Sequence, residues 1–165
     1  MLLPMAGLLA AASAFGLDPA YQPLTLYKGS WLVTPKTQST PSTDLLRNDC
    51  AMAGRFFACQ QTVNGKPGSL LVIVPASKPG DYYTQTVQQE GWANGRGALH
   101  IDGNVWTYSG KSEENGKTTW QKTTNLFTGR DRIHYEVSVS QDGVNWTVTA
   151  AGDEVRTSRT TPPGK

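Results

Sequence analysis

The sequence predicts an all-β protein, a single antiparallel up-and-down barrel of about eight to ten strands behind an apolar N-terminal leader. Turn pairs recur at Asn64-Gly65, Asn94-Gly95, Asp102-Gly103, Asn115-Gly116 and Asp142-Gly143. Each can reverse the chain through the positive φ angles of a tight hairpin loop, and Asp102-Gly103 reads as a type I′ turn between two short strands. The runs between the turns are mostly roughly five to ten residues long and rich in β-branched and aromatic side chains. A meander of that many strands must close on itself or leave sticky edges.

Taken in order, the first residues, MLLPMAGLLAAASAFG, are apolar for about the length of a signal-peptide core. Ala12-Ser13-Ala14 supplies the small residues of a cleavage site, so residues 1–14 are predicted to be an export signal, although no Lys or Arg precedes the apolar run. Residues 15–25 hold two prolines and no clear period, and read as a lead-in. The barrel domain is expected over residues 26–156, followed by a disordered tail over 157–165.

Within that domain Leu26 to Val33 reads as a first strand with Trp31 in it, and Thr34 to Asp49 as a polar connection with a short turn at Ser42 to Leu46. Arg55 to Val63 alternates loosely. Leu70 to Val74 is a continuous apolar run and Pro75 ends it. Asp81 to Gln88 is a further strand. Trp106 and Tyr108 share a face, as do Trp120, Lys122, Thr124 and Leu126. Ile133, Tyr135, Val137 and Val139 oppose Arg132, His134, Glu136 and Ser138, and Trp146, Val148 and Ala150 continue the alternation on the last strand.

Composition narrows the function. Fifteen basic and thirteen acidic residues in 165 leave a formal charge of +2, too little to argue for a nucleic-acid partner. No apolar run of membrane-spanning length follows the leader. Cys50 and Cys59 are the only cysteines and form no C-x-x-C pattern, so in an oxidising compartment a disulfide between them is the natural reading and two reduced structural thiols the alternative. His100 and His134 are the only histidines and lie on separate strands, so no metal site is expected and no cofactor signature is present.

The most suggestive set is aromatic: Trp31, Trp106, Tyr108, Trp120, Tyr135 and Trp146. Rigid amphipathic rings line many small-molecule pockets, and the same rings also fill cores. Arg132, His134 and Glu136 could form an acid/base cluster, as could His100 with Asp102, or each could belong to a solvated outer face. Ser140 to Trp146, SQDGVNW, resembles the Asp-box hairpin of sialidases but lacks its second Gly and its Thr; an Asp that binds nearby backbone amides explains the stretch without catalysis. Asn145-Trp146-Thr147 is a sequon on paper only, and the Gly-rich Gly91 to Gly97 precedes a strand, so it offers no helix N-terminus to a phosphate.

Gly29-Ser30-Trp31, Gly54-Arg55-Phe56-Phe57, Asp102-Gly103-Asn104-Val105-Trp106 and Ser140 to Trp146 together resemble the small exported, mostly bacterial proteins of unknown function classed as lipocalin-like or calycin-like. The resemblance spans roughly residues 26 to 156 and implies one barrel with a possible apolar cavity and no particular substrate. The resulting expectation is a periplasmic or secreted protein that binds a small apolar or aromatic molecule in the barrel. The alternatives are an enzyme with an acid/base pair in the same cavity and a protein-interaction β-domain.

Overall fold

The computed structural model describes residues 18–37, 42–91, 93 and 95–157. The predicted signal segment and residues 158–165 of the predicted tail lie outside them. Ten antiparallel strands follow one another: β1 (Gly29–Pro35), β2 (Asp44–Ala53), β3 (Phe56–Val63), β4 (Lys66–Pro75), β5 (Asp81–Val87), β6 (Gly97–Asp102), β7 (Val105–Glu114), β8 (Lys117–Phe127), β9 (Arg132–Ser140) and β10 (Thr147–Arg156). Each pairs with the next, and β1 pairs with β10 from Trp31 opposite Arg156 to Pro35 opposite Gly152, closing the barrel. None of the ten is left with an open edge.

The predicted turns reverse the chain with two differences. Asn64-Gly65 and Asn115-Gly116 have positive φ at both positions, as a type I′ loop requires. At the central hairpin Asp102 pairs with Val105, so the loop is Gly103-Asn104, one residue later than Asp102-Gly103. Only Gly103 has positive φ there, at 58°, the pattern of a type II′ loop with glycine first. The Asn94-Gly95 pair falls partly outside the described residues, and Gly95 is not among the positive-φ glycines.

Three strand assignments change. The first strand begins at Gly29, because Leu26 and Tyr27 belong to a 3-10 turn. The polar connection to Asp49 is shorter than expected: Asp44 already pairs with Val33, and Leu46, Asn48 and Cys50 run along β2. Arg47, Asn48 and Asp49, consecutive polar residues on both faces, hid that strand. On β10 a register shift between Val148 and Ala150 sets Val148 opposite Ser138 and Ala150 opposite Val137. A bulge of this kind turns the later residues to the other side of the sheet, so Trp146 and Val148 do not share a face with Ala150.

An eight-stranded barrel is just wide enough for side chains to fill or to hold one small ligand; ten strands enclose more space. One end is filled by the chain that precedes β1. Two 3-10 turns, Pro19–Tyr21 and Pro23–Tyr27, lie under the barrel and bury Tyr21 and Leu24. The segment read as a lead-in therefore supplies core. The Tyr21 hydroxyl donates to the Arg55 carbonyl, the Tyr82 hydroxyl donates to the Ala20 carbonyl at 2.6 Å, and Tyr21 stacks on Phe57. Trp31, Phe57, Ile73, Leu99, Trp106, Phe127 and Ile133 complete the core above it.

Arg156 fastens this end. Its guanidinium lies 4.1 Å from the Trp31 ring centre, donates to the carbonyls of Lys28 and Leu26, and reaches the Arg130 carbonyl and the Asp131 carboxylate at 3.1 Å. Gly29 makes room for it: with φ at 124°, a Cβ there would stand 2.7 Å from the guanidinium. Cys50 and Cys59, directly opposite across the β2–β3 hairpin, form a disulfide buried in the core.

Arg156→Lys keeps the charge and loses the fork, and should destabilise by about 2 kcal/mol in urea denaturation. Replacing both cysteines by alanine should cost about 2–3 kcal/mol, the loop-closure value for a nine-residue separation. It should lower the denaturation midpoint at nearly constant slope.

Candidate functional site

Above the filled end the interior changes character. The inward positions nearer the open end are small or polar: Thr84 and Thr86 on β5, Gly97 on β6, Gly110 on β7, and Gln121 and Thr123 on β8. Such side chains do not meet across a ten-stranded barrel. They surround a mouth of about 720 Å³, rimmed also by Gln88, Ala93, Gly95 and Glu113. Leu71, Thr86, Tyr108 and Thr123 line both the mouth and a deeper chamber of about 240 Å³.

The chamber draws on nearly every part of the barrel. Tyr27 reaches it from the second 3-10 turn, Gln61 from β3, Asn125 from β8, Tyr135 from β9 and Glu154 from β10. Tyr135 sits against Gly152 so closely that a Cβ there would come within 2.7 Å of its ring and hydroxyl. Glycine at that position lets the phenol lie against the wall.

One side of the interior is fully bonded. The Ser69 hydroxyl donates to Gln61 Oε1 and Gln61 Nε2 donates to Asn48 Oδ1, both at 2.9 Å; Asn48 Nδ2 donates to the Tyr27 carbonyl at 3.3 Å. Trp31 Nε1 donates to the same carbonyl at 3.1 Å. The other side is not. Among the described residues the Tyr108 hydroxyl, Asn125 Oδ1 and Glu154 Oε2 find no hydrogen-bond partner though buried, and all three residues line the chamber. Asn125 is only 4% exposed and Glu154 only 7%. Leaving a buried polar atom unbonded costs about 1–3 kcal/mol, and here three such atoms lie beside one cavity.

Burial governs the electrostatics. It pushes the Glu154 carboxyl up to about 7 from an ordinary 4.5. Glu154 takes part in none of the ion pairs among the described residues. Burial also raises the Tyr27 and Tyr108 phenols, with the nearby Glu154 adding to both, while Asn48 and Gln61 pull Tyr27 the other way. Tyr135 is raised by burial and then by Glu154. The phenols thus stay neutral while the carboxyl titrates near neutral pH.

The six aromatic residues singled out in the sequence separate into three groups. Tyr108 and Tyr135 line the chamber. Trp31 and Trp106 are buried at the filled end, Trp106 with its ring centre 4.7 Å from that of Phe127 and 6.5 Å from that of Tyr27. Trp120 and Trp146 lie on the outer wall. Trp120 shares an external groove with Tyr83, Arg96 and Lys111, and Trp146 lies under the Lys122 ammonium at 4.4 Å. Opposite strand parity separates them from Gln121 and Thr123, which face inward.

The charged candidates are also external. His134 pairs with Asp153 at 2.8 Å and with Glu136 at 3.8 Å, and Lys36 reaches the same Asp153 at 2.7 Å. The Lys36 bond first and the His134 bond second hold the Asp153 carboxyl below its ordinary range. His100 bonds Asp81 rather than Asp102. In the Ser140 to Trp146 stretch Asp142 Oδ1 accepts from the Val144 and Asn145 amides at 2.8 and 2.7 Å, so its carboxylate closes the loop, as the sequence suggested. Those bonds hold it well below the usual carboxylate range.

Glu154, Asn125, Tyr27 and Gln61 were not singled out from sequence. Glu154 did leave a signal: it stands an even number of residues from Ala150, so a carboxyl shares a face with small apolar side chains. Among the described residues no group of three or more His, Cys, Asp or Glu is placed to hold a metal ion, and no helix is long and apolar enough to cross a membrane.

No family model and no curated protein matches the chain. Among solved structures it is similar to the crystal structure of Rv2717c from M. tuberculosis, at 18% identity and a TM-score of 0.54, over 87% of this chain and 100% of that one. Likeness at that identity extends to the fold.

The raised Glu154 carboxyl predicts a sign for stability against pH. Between 4.5 and about 7 the folded chain holds a proton that the unfolded chain has released, so Glu154 makes stability fall as pH rises through that window. The full effect is about 3 kcal/mol. Glu154→Gln should match the wild type in urea denaturation at pH 4 and exceed it by about 2–3 kcal/mol at pH 8. Equal stability of the two at pH 8 would remove the buried, uncompensated carboxyl from the account.

Proposed function

We propose that this protein is a binding module that admits a small molecule through the open end of its barrel and holds it in the chamber between Tyr27, Tyr108, Tyr135 and Glu154. The observation that carries the reading is the convergence of three unpartnered buried polar atoms on one cavity that continues into an open mouth. A pocket with apolar and aromatic walls and a few directed polar groups is the usual form of a small-molecule site.

Leu71 and the phenol rings suit the apolar or aromatic body expected from the sequence, and the three polar atoms add a demand for a polar end. Likeness to the lipocalin-like proteins supports the same use of a barrel interior. Binding is favoured over catalysis because His134 and Glu136, the acid/base pair considered from sequence, point away from the cavity, as does His100. Export to a periplasmic or extracellular space belongs to the same proposal and is supported by the apolar leader and the disulfide.

The experiment is a fragment library read by backbone amide NMR. Hits should shift the Thr86, Tyr108 and Thr123 amides, and Thr123→Phe, which fills the chamber from β8, should weaken them by about tenfold or more while leaving the barrel folded. A library that produces no shifts at those amides, or hits indifferent to Thr123→Phe, would refute the reading.

A further inference from the structure

We propose, on the premise that the chamber binds a small molecule, that its ligand is a small organic primary amine, seated as the ammonium against Glu154, Asn125 and Tyr108. The unpartnered atoms are all able to accept: a carboxylate oxygen, an amide oxygen and a phenol oxygen. An ammonium offers three donors and no acceptor, which matches the three atoms in number and kind. An alcohol brings one donor.

Charge selects in the same direction. Among the described residues lining the chamber Glu154 is the one carboxylic acid, and none is a Lys, Arg or His. Once Glu154 is ionised, a carboxylate or phosphate ligand would meet its charge with nothing to offset it, and burial makes that repulsion costly. An ammonium supplies the counter-charge that Glu154 lacks. The phenols of Tyr27, Tyr108 and Tyr135 line the remaining wall, and aromatic surroundings suit a cation. The rest of the molecule extends past Leu71 and Thr86 toward the mouth, which is the wider space.

The groups around Glu154 define how binding depends on pH. Tyr27 from the 3-10 turn, Tyr108 from β7 and Tyr135 from β9 face it and stay neutral, since each phenol is held above its ordinary value. On its own strand Asp153 is tied to Lys36 and His134, and Arg156 to Asp131 and the carbonyls below Trp31. Asp44, across from Val33 on β2, lies near enough to act on Tyr135. Glu154 is then the group that must give up a proton to receive the cation. Affinity for an amine should rise as pH passes through about 7 and fall again once the amine itself loses its proton. Below that pH, binding releases a proton to solvent.

The test is calorimetric titration of the folded protein with butylamine and 2-phenylethylamine, each beside its alcohol and a carboxylate of the same length, at pH 8. The amines should bind about tenfold or more tightly than the alcohols, and the carboxylates should give no heat. At pH 6 in two buffers of different ionisation enthalpy, amine binding should release close to one proton. Glu154→Gln should abolish both the amine preference and the proton release. Tyr108→Phe, which keeps the ring, should weaken the amines by a smaller factor and provides the check should Glu154→Gln fail to fold. Alcohols that bind as well as amines, or an amine preference that survives both substitutions, would overturn the amine assignment and leave the binding proposal standing. Absence of heat from every member of the set, together with an empty fragment screen, would sink both.

Discussion

Closure between the first and last strands is the constraint on which the rest depends. Pairing of β1 with β10 removes the two edges of a ten-stranded meander and fixes the circumference of the sheet. A circumference of ten strands encloses more space than inward side chains fill, so the interior must be occupied by something else or left open. This chain does both. The residues ahead of β1 turn under one end and bury Tyr21 and Leu24 there, and the other end stays open above the chamber. Arg156 connects closure to filling, since it ends β10, stacks on Trp31 of β1 and holds the carbonyls of the segment beneath.

That arrangement makes the interior asymmetric in its hydrogen bonding. From Ser69 through Gln61 to Asn48 and the Tyr27 carbonyl, donors and acceptors are matched along β4, β3 and β2. Across the same space Tyr108, Asn125 and Glu154 each keep an unbonded atom. A core selected only for stability would have replaced those groups by apolar ones of the same shape, because the carboxyl is held in its protonated form at a cost that grows with pH. Retaining them is intelligible where another molecule completes the bonds. The closed, disulfide-linked wall provides the rigidity such a site needs.

Much of the wall was legible from sequence because it rests on local chemistry. Asn64-Gly65 and Asn115-Gly116 adopt the positive φ that such pairs favour, and alternation assigns Trp106 and Tyr108 to one face and Trp120 and Lys122 to the other without reference to any partner strand. The misread places were those where locality fails. β2 carries polar residues because Asn48 answers a bonding need set by Tyr27 and Gln61, which are remote in sequence. The bulge after Val148 has no side-chain signature, and it decides which of Trp146 and Glu154 faces the interior.

The sequence by itself determined that the chain is a meander of short antiparallel strands and which residues share a face, since turn propensity and side-chain alternation act between near neighbours. It also placed Cys50 and Cys59 within reach of one hairpin. Tertiary structure alone decided which face is the inside, how many strands close, and that Tyr27, Tyr108, Asn125, Tyr135 and Glu154 surround one chamber. These residues come from a 3-10 turn and four different strands, and only the pairing of the two chain ends brings them together; burial, not composition, then gives the carboxyl among them its unusual proton affinity.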